Sequence, residues 1–277
     1  LVSGTWRDTE LIELSDGRRL RDSAEQQWSS LLKAGVSTAL GRWSASHRQG
    51  SVERLEPFDA TGNAVGLFGT VRRRTDDAST VLRYRSDGGA DWLDAGATFA
   101  YTDKRVTDAG SSVADGTDEF DYGIWTLDLR NDFAHRIGPV DGTLRVGVQG
   151  NREVRQALRD NALGRRINEV QPPGAKESWG AVLFERLRVH DFAIDGGLRV
   201  DRHVIDAKAT SARLLAAQGR ATRATYSRLS PAGGVTWTPR QGAFSLFYAY
   251  SEAFRVPLID ESFTIGTLSR CQSFARY

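Results

Sequence analysis

Apolar side chains recur at every second position over runs long and numerous enough to make the chain all-β. From Gly123 to His135, Trp125, Leu127, Leu129 and Phe133 share one face, while Thr126, Asp128, Arg130 and Asp132 share the other. After the turn Ile137 to Gly142 the pattern resumes, with Leu144, Val146 and Val148 opposite Thr143, Arg145, Gln149 and Asn151. Successive side chains of a strand point to opposite faces, so this is a hairpin with one apolar and one charged face. The unit repeats. Leu93, Ala95, Ala97, Phe99 and Tyr101 oppose Asp94, Thr98 and Thr102, and Phe192, Ile194, Leu198, Val200 and Val204 oppose Asp195, Arg199, Asp201 and His203. Val235, Trp237, Leu246, Tyr248 and Tyr250 extend it across Thr238 to Gly242. The spacing predicts about ten strands, centred near Val36, Ser46, Leu82, Ala97, Leu127, Val146, Leu183, Leu198, Gly234 and Phe247.

The connections alternate in length. Short ones fall around Leu40, Asp87 to Asp91, Ile137 to Gly142, His190 and Pro239 to Gly242. Long ones are expected at Val52 to Asp76, Asp108 to Glu119, Arg159 to Lys176 and Lys208 to Thr225. Short turns on one rim and long loops on the other describe an antiparallel transmembrane β-barrel, with the short side periplasmic. A soluble β-sandwich also alternates along each strand. Strands longer than the usual ~5–6 residues and aromatics at their ends favour the barrel. Against it, Glu185 falls in phase with the outward Trp179, Ala181, Leu183, Leu187 and Val189, where it needs an interfacial depth or a bulge that shifts the phase.

A net charge of +2 from 37 basic and 35 acidic residues lacks the one-sided basic surplus of a nucleic-acid binder. No apolar run is long enough for a membrane helix, which leaves a barrel open because alternating strands average out in a hydropathy window. No nucleophile elbow, phosphate loop or metal-binding motif is present, so an enzyme is not expected. The start at Leu1, the absence of Met and the lack of a closing strand lead us to expect part of a longer chain. The single Cys271 fits either a free thiol or half of a disulfide.

Tyr248-Ala249-Tyr250-Ser251-Glu252-Ala253-Phe254-Arg255-Val256-Pro257, with Glu261 following, resembles the "YS-x-x-FR-x-P-x-x-x-E" stretch of TonB-dependent outer-membrane receptors. There a barrel strand runs up into an external loop that opens with the FRAP box; Val256 stands where a small residue is usual. Leu14 to Arg19, Trp28 to Gly35, Val81 to Tyr84 and Asp91 to Thr102 are similar to strands of the haem and haemoglobin branch. The resemblance implies a barrel of about 22 strands plugged by an N-terminal domain, of which residues 1–277 would be a middle part. The plug and the segment gripped by the TonB complex would lie upstream.

What the resemblance implies for function is uptake, across the bacterial outer membrane, of an iron-bearing ligand. Haem or haemoprotein-derived haem is favoured, a ferric siderophore is the alternative, and no cofactor is bound permanently. A passive porin-like barrel and a soluble binding module remain the readings of other classes. Phe254, Arg255, Pro257, Glu261 and Arg270 are the candidate ligand-binding residues. Asp128, Arg130, Arg145, Arg199 and Asp201 are candidates to face the plug, or are ordinary lumen residues. In the haem branch a histidine follows the FRAP box, but Thr264 to Cys271 contains Gly266 and no His. His203 is the remaining ligand candidate, since His135 and His190 abut short turns and His47 lies in a poorly defined strand. Arg72-Arg73-Arg74 is expected to close an external loop, attracting anionic ligand or lipid groups or simply solvated, and Asp108 to Asp121 is expected to be a solvated acidic loop.

Overall fold

The computed structural model describes residues 1–11, 13–17, 24–57, 70–87, 92–111, 116–161, 164–167, 173–208, 216, 219, 221–239, 244–257 and 259. Twelve strands form one antiparallel sheet: β1 (Val2–Thr9), β2 (Glu25–Thr38), β3 (Gly41–Pro57), β4 (Thr70–Arg85), β5 (Asp94–Ser111), β6 (Gly116–Ile137), β7 (Val140–Asn161), β8 (Gly164–Ile167), β9 (Gly174–Val189), β10 (Phe192–Ala207), β11 (Arg223–Trp237) and β12 (Leu246–Ser251). Sequence neighbours pair throughout, except that the short β8 pairs β7 off the main path and β7 continues to β9. β1 and β12 do not pair with each other, so the sheet is an open stretch of barrel wall.

The face assignments read from the alternation hold. Trp6, Trp28, Leu32, Val36, Trp43, Leu82, Phe99, Trp125, Leu129, Trp179, Leu183, Leu198 and Leu229 are all exposed. Register places them on one side of the wall, as in Leu82↔Phe99↔Leu127. Trp179 lies ten residues before Val189, the end of β9 (189 − 179 = 10). At ~3.3 Å per residue and ~40° of tilt this spans roughly 25 Å, the height of an outer-membrane apolar band. Aromatic pairs mark its two margins, with Trp43 against Tyr84 and Phe192 against Trp237 beside the short turns, and Tyr101 against Trp125 higher up. No sandwich partner sheet covers this face among the described residues.

Two expectations need correction. First, β1 and β8 were not among the ten strands. β1 places Val2, Gly4, Trp6 and Asp8 on its outward side, too few apolar positions to register, and β8 has only four residues. Second, the expected loops Val52 to Asp76 and Asp108 to Glu119 are largely strand. β3 runs to Pro57, β4 starts at Thr70, and only residues 112–115 separate β5 from β6. Above the apolar band the outward face turns mostly polar while the inner face buries Val71, Phe120 and Ala157, so the apolar-out alternation disappears while backbone pairing continues. Arg73 and Asp108 therefore sit on strands, as do Asp118, Glu119 and Asp121, while Asp115 lies outside the described residues. Of the two accommodations expected for Glu185, no bulge shifts the phase of β9: its register with β7 and β10 is continuous, and Glu185 faces outward near the short-turn end of the strand. His135 of β6 reaches it across β7, with Nε2 3.6 Å from Oε1. Gly142, directly opposite His135, leaves the space for that ring.

Candidate functional site

The inner face is built of polar rows that run from strand to strand along the hydrogen-bond register. One reads Arg83, Thr98, Asp128, Gln149, Gly180, Asp201 and Arg228. The next, toward the short turns, reads Arg42, Arg85, Gly96, Arg130, Gly147, Val182, Arg199 and Ser230. All five residues expected on the lumen wall, Asp128, Arg130, Arg145, Arg199 and Asp201, are on this face.

Three of them, Asp128, Arg199 and Asp201, are tied by hydrogen bonds through Gln149. Gln149 Nε2 donates to Asp128 Oδ2 at 2.7 Å, Arg199 Nη1 donates to Gln149 Oε1 at 3.0 Å, and Arg199 Nε donates to Asp201 Oδ2 at 2.8 Å. The chain crosses β9 at Gly180, where an added Cβ would lie 2.6 Å from Asp201 Oδ1 and 2.7 Å from Arg199 Nη2. A side chain at that position would part the guanidinium from Gln149. Arg145 belongs to a separate pair, Nε and Nη2 donating to the two oxygens of Asp132 at 2.7 Å each. Arg130 lies over Gly96, with Nε 3.0 Å from where a Cβ would be.

His203 stands two residues further toward the long connections on β10, on the same inner face as Asp201. Its Nδ1 is 2.8 Å from Ser178 Oγ, and its ring lies 5.9 Å from that of Phe254 at an interplanar angle of 57°. Phe254 reaches this point because the segment after β12 folds onto the inner wall. Val256 and Ile259 are buried against Ile205, with Ala207 and Tyr226 beside them. Val256, the large residue where the box usually has a small one, is thus the anchor. Upstream, Glu252 accepts from Tyr250 Oη at 2.8 Å and from Arg228 Nη2 at 2.7 Å.

The FR-x-P segment was expected at the upper end of a long strand. β12 is six residues long and ends at Ser251, so Phe254, Arg255 and Pro257 lie beyond it; Phe254 and Arg255 are exposed and Pro257 is half-buried. Glu261, Arg270 and Cys271 lie outside the described residues. Arg72 to Arg74 are in β4: Arg73 makes a bidentate pair with Asp108 at 2.6 Å, and Arg74 pairs with Asp76 at 2.9 Å. Among the described residues no three His, Cys, Asp or Glu side chains are grouped to hold a metal ion.

An open twelve-stranded wall with an apolar outer band, short turns on one rim and long connections on the other agrees with a match to the family model described as TonB dependent receptor-like, beta-barrel, over residues 6–275. The chain belongs to this family. TonB-dependent receptors are transport receptors of the bacterial outer membrane, and residues 1–277 contribute barrel wall. Solved structures similar to it include a double mutant of the Serratia marcescens hemophore receptor HasR in complex with its hemophore HasA and heme. That match has a TM-score of 0.71 at 17% identity, over 96% of this chain and 42% of that one. The FrpB iron transporter of Neisseria meningitidis matches with a TM-score of 0.66 at 16% identity, over 92% and 41%. The siderophore receptor PiuA of Acinetobacter baumannii matches at 0.64 and 13%, over 90% and 44%. The chain thus spans about two fifths of the length of the receptors it matches. No curated protein matches it by sequence.

Sequence reasoning missed Gln149, Gly180, Ser178, Tyr226 and Val256 as parts of the site. Gly180 left no trace in the sequence, since its in-facing neighbours on β9 are Ser178 and Val182; Tyr226 left none either, because its role depends on where the segment after β12 lands.

Proposed function

We propose that residues 1–277 are the middle of the barrel of a TonB-dependent importer of an iron-bearing ligand, with a plug domain upstream and further barrel strands downstream. Haem, free or drawn from a haemoprotein, is the favoured cargo. Short turns face the periplasm and long connections face the outside. The Asp128, Arg130, Arg145, Arg199 and Asp201 wall packs against the plug, which the TonB complex displaces. Phe254, Arg255, Pro257, Glu261 and Arg270 meet the ligand on its way in.

The observation that carries the haem reading is the pairing of His203 with Phe254 on the inner wall. The Ser178 contact fixes one imidazole nitrogen, and a ring held in this way is oriented to offer its other nitrogen to iron. The Phe254 ring beside it suits the face of a flat aromatic ligand. A similar fold in a heme-bound receptor agrees with this reading. The second reading, a ferric siderophore, is favoured by the lack of histidine from Thr264 to Cys271.

Haem titration of the intact receptor, followed by visible absorption, tests the proposal. The expected result is a Soret shift that is weakened or displaced in His203→Ala. No shift with the unaltered receptor, together with binding of a ferric siderophore, replaces haem by the second reading.

A further inference from the structure

Glu185 is a carboxylate on the outward, lipid-facing side of the wall, and its Oε1 is buried without a hydrogen bond. The His135 Nε2 beside it is 3.6 Å away, longer than a hydrogen bond. From the row of Glu185 to the short turns, the outward face of β6, β7, β9, β10 and β11 carries no Lys or Arg among the described residues. An ionisable side chain turned to lipid is costly and calls for a partner. The surface beside it is hollow. Gly196 stands directly opposite Glu185 and Gly233 opposite Gly196, so that row has no side chain until Tyr250 on β12. Nothing lies within 4 Å of a Cβ at Gly196, and at Gly233 a Cβ would meet only the Asp195 carbonyl oxygen, at 3.5 Å. The exposed Leu198 and Ile194 wall this trough above and below.

We propose that Glu185 and the trough beside it bind the ammonium headgroup of phosphatidylethanolamine. The inference rests on the orientation given above, in which the short turns lie on the side of the phospholipid leaflet facing the periplasm.

Depth and charge select this occupant. Glu185 precedes Val189, the end of β9, by four residues (189 − 185 = 4). At ~3.3 Å per residue and ~40° of tilt its Cα is roughly 10 Å inside the margin of the apolar band. The carboxyl reaches toward that margin, because the His135 ring it meets stands in the row of Leu187, two residues nearer the turns. The hydrogen-bond donors a bilayer offers there are its headgroups. A primary ammonium brings a positive charge and three N–H groups, the complement of a carboxylate that the protein leaves short of donors. A choline headgroup has the charge and no N–H, and a glycerol headgroup has hydroxyls beside an uncompensated phosphate. The side chain of Glu185 is 30% exposed although Oε1 is not, so its remaining atoms are open to approach. Gly196 and Gly233 give the headgroup room to sink between the neighbouring apolar side chains and to arrive from β10, the side away from His135.

The test is direct coupling in the intact receptor, reconstituted in vesicles of phosphatidylethanolamine and phosphatidylglycerol and treated with dicyclohexylcarbodiimide. The carboxylate adds to the carbodiimide, and an amine in contact then displaces dicyclohexylurea to form an amide. Trypsin releases Glu177 to Arg186 as one peptide. Glu177 in it is the internal control, because it also faces outward but is paired with Arg152 at 3.3 Å. The expected product carries the lipid amine on Glu185 and not on Glu177, and it is lost in Glu185→Gln and in Gly196→Leu, which fills the trough. Gly233→Leu replaces Gly196→Leu if the latter does not insert. An adduct shared equally by both glutamates, an adduct on Glu177 alone, one that survives filling of the trough, an N-acylurea without amide, or no reaction at Glu185 overturns the proposal. Both leaflets of these vesicles contain the amine, so failure counts against the site. The orientation fails separately, if Pro139→Cys is labelled from outside whole cells by an impermeant thiol reagent.

Discussion

Gly180 lies against Arg199: a Cβ at position 180 would stand 2.7 Å from Arg199 Nη2 and 2.6 Å from Asp201 Oδ1. The absence of a side chain on β9 is what lets a guanidinium rooted on β10 reach Gln149 on β7. Gly180→Val is therefore expected to lower stability by about 1–3 kcal/mol, as overpacking does. The check is urea unfolding of the receptor in lipid vesicles followed by tryptophan fluorescence. Gly196→Val is the control, because nothing lies within 4 Å of a Cβ there. Equal effects from the two substitutions would mean that the hydrogen-bonded chain contributes nothing.

His135 and Glu185 pose the opposite problem, two polar groups on the outward face. Glu185 Oε1 is buried without a hydrogen bond, and His135 Nε2 lies 3.6 Å from it, an ion pair only when the imidazole is protonated. His135→Leu leaves a carboxylate facing lipid unpartnered and is expected to cost about 1–3 kcal/mol. Replacing both with Leu is expected to recover that loss, since a buried pair contributes little over apolar residues of similar size. A double-mutant cycle measures the coupling, expected at about 0.5–3 kcal/mol. A double variant no more stable than His135→Leu would show that the two do not act as a pair.

Alternation exposed the wall because inside and outside differ sharply along the membrane-crossing parts. Trp125, Leu127 and Leu129 against Asp128 and Arg130 leave one orientation open, and the register follows from the short turns. The same rule failed above the band. Arg73, Asp108, Asp118 and Arg159 are charges on strands, and a charge-rich stretch reads as a loop unless its partner on the neighbouring strand, 35 or 41 residues away, is known. Within the site, His203 was legible from its phase. Its neighbour Phe254 was legible only as a motif, since the contact depends on Val256 and Ile259 reaching Ile205.

That anchor can be tested directly. Val256→Ala removes two methyl-sized groups from a buried position, about 1.5 kcal/mol of apolar burial, which corresponds to roughly a tenfold larger open population of the segment. Trypsin cleaves after the exposed Arg255, so the rate of cutting between 255 and 256 is expected to rise by about tenfold where opening is fast relative to cleavage. An unchanged rate would mean that Val256 does not hold the segment on the wall. The same variant is expected to weaken any haem signal that depends on Phe254.

The extended strands above the membrane band make a last, quantitative contrast. Arg159 and Asp118 form a bidentate pair at 2.6 and 2.7 Å with side-chain exposures of 16% and 6%, whereas Arg136 and Asp141 are 73% and 57% exposed. Arg159→Met removes the bidentate donor from a buried carboxylate that keeps other contacts, so it is expected to cost about 1–3 kcal/mol, less than a fully stranded charge. Arg136→Met is expected to cost about 0–1 kcal/mol, because solvent already screens that pair. Hydrogen exchange locates the difference: Arg159→Met should raise exchange across Gly116 to Phe120 and Ala157 to Asn161 while leaving the short turns unaltered. Uniform loosening of the whole sheet would instead mean that Asp118 and Arg159 support the barrel as a unit, and that the upper strands are not a separately held layer.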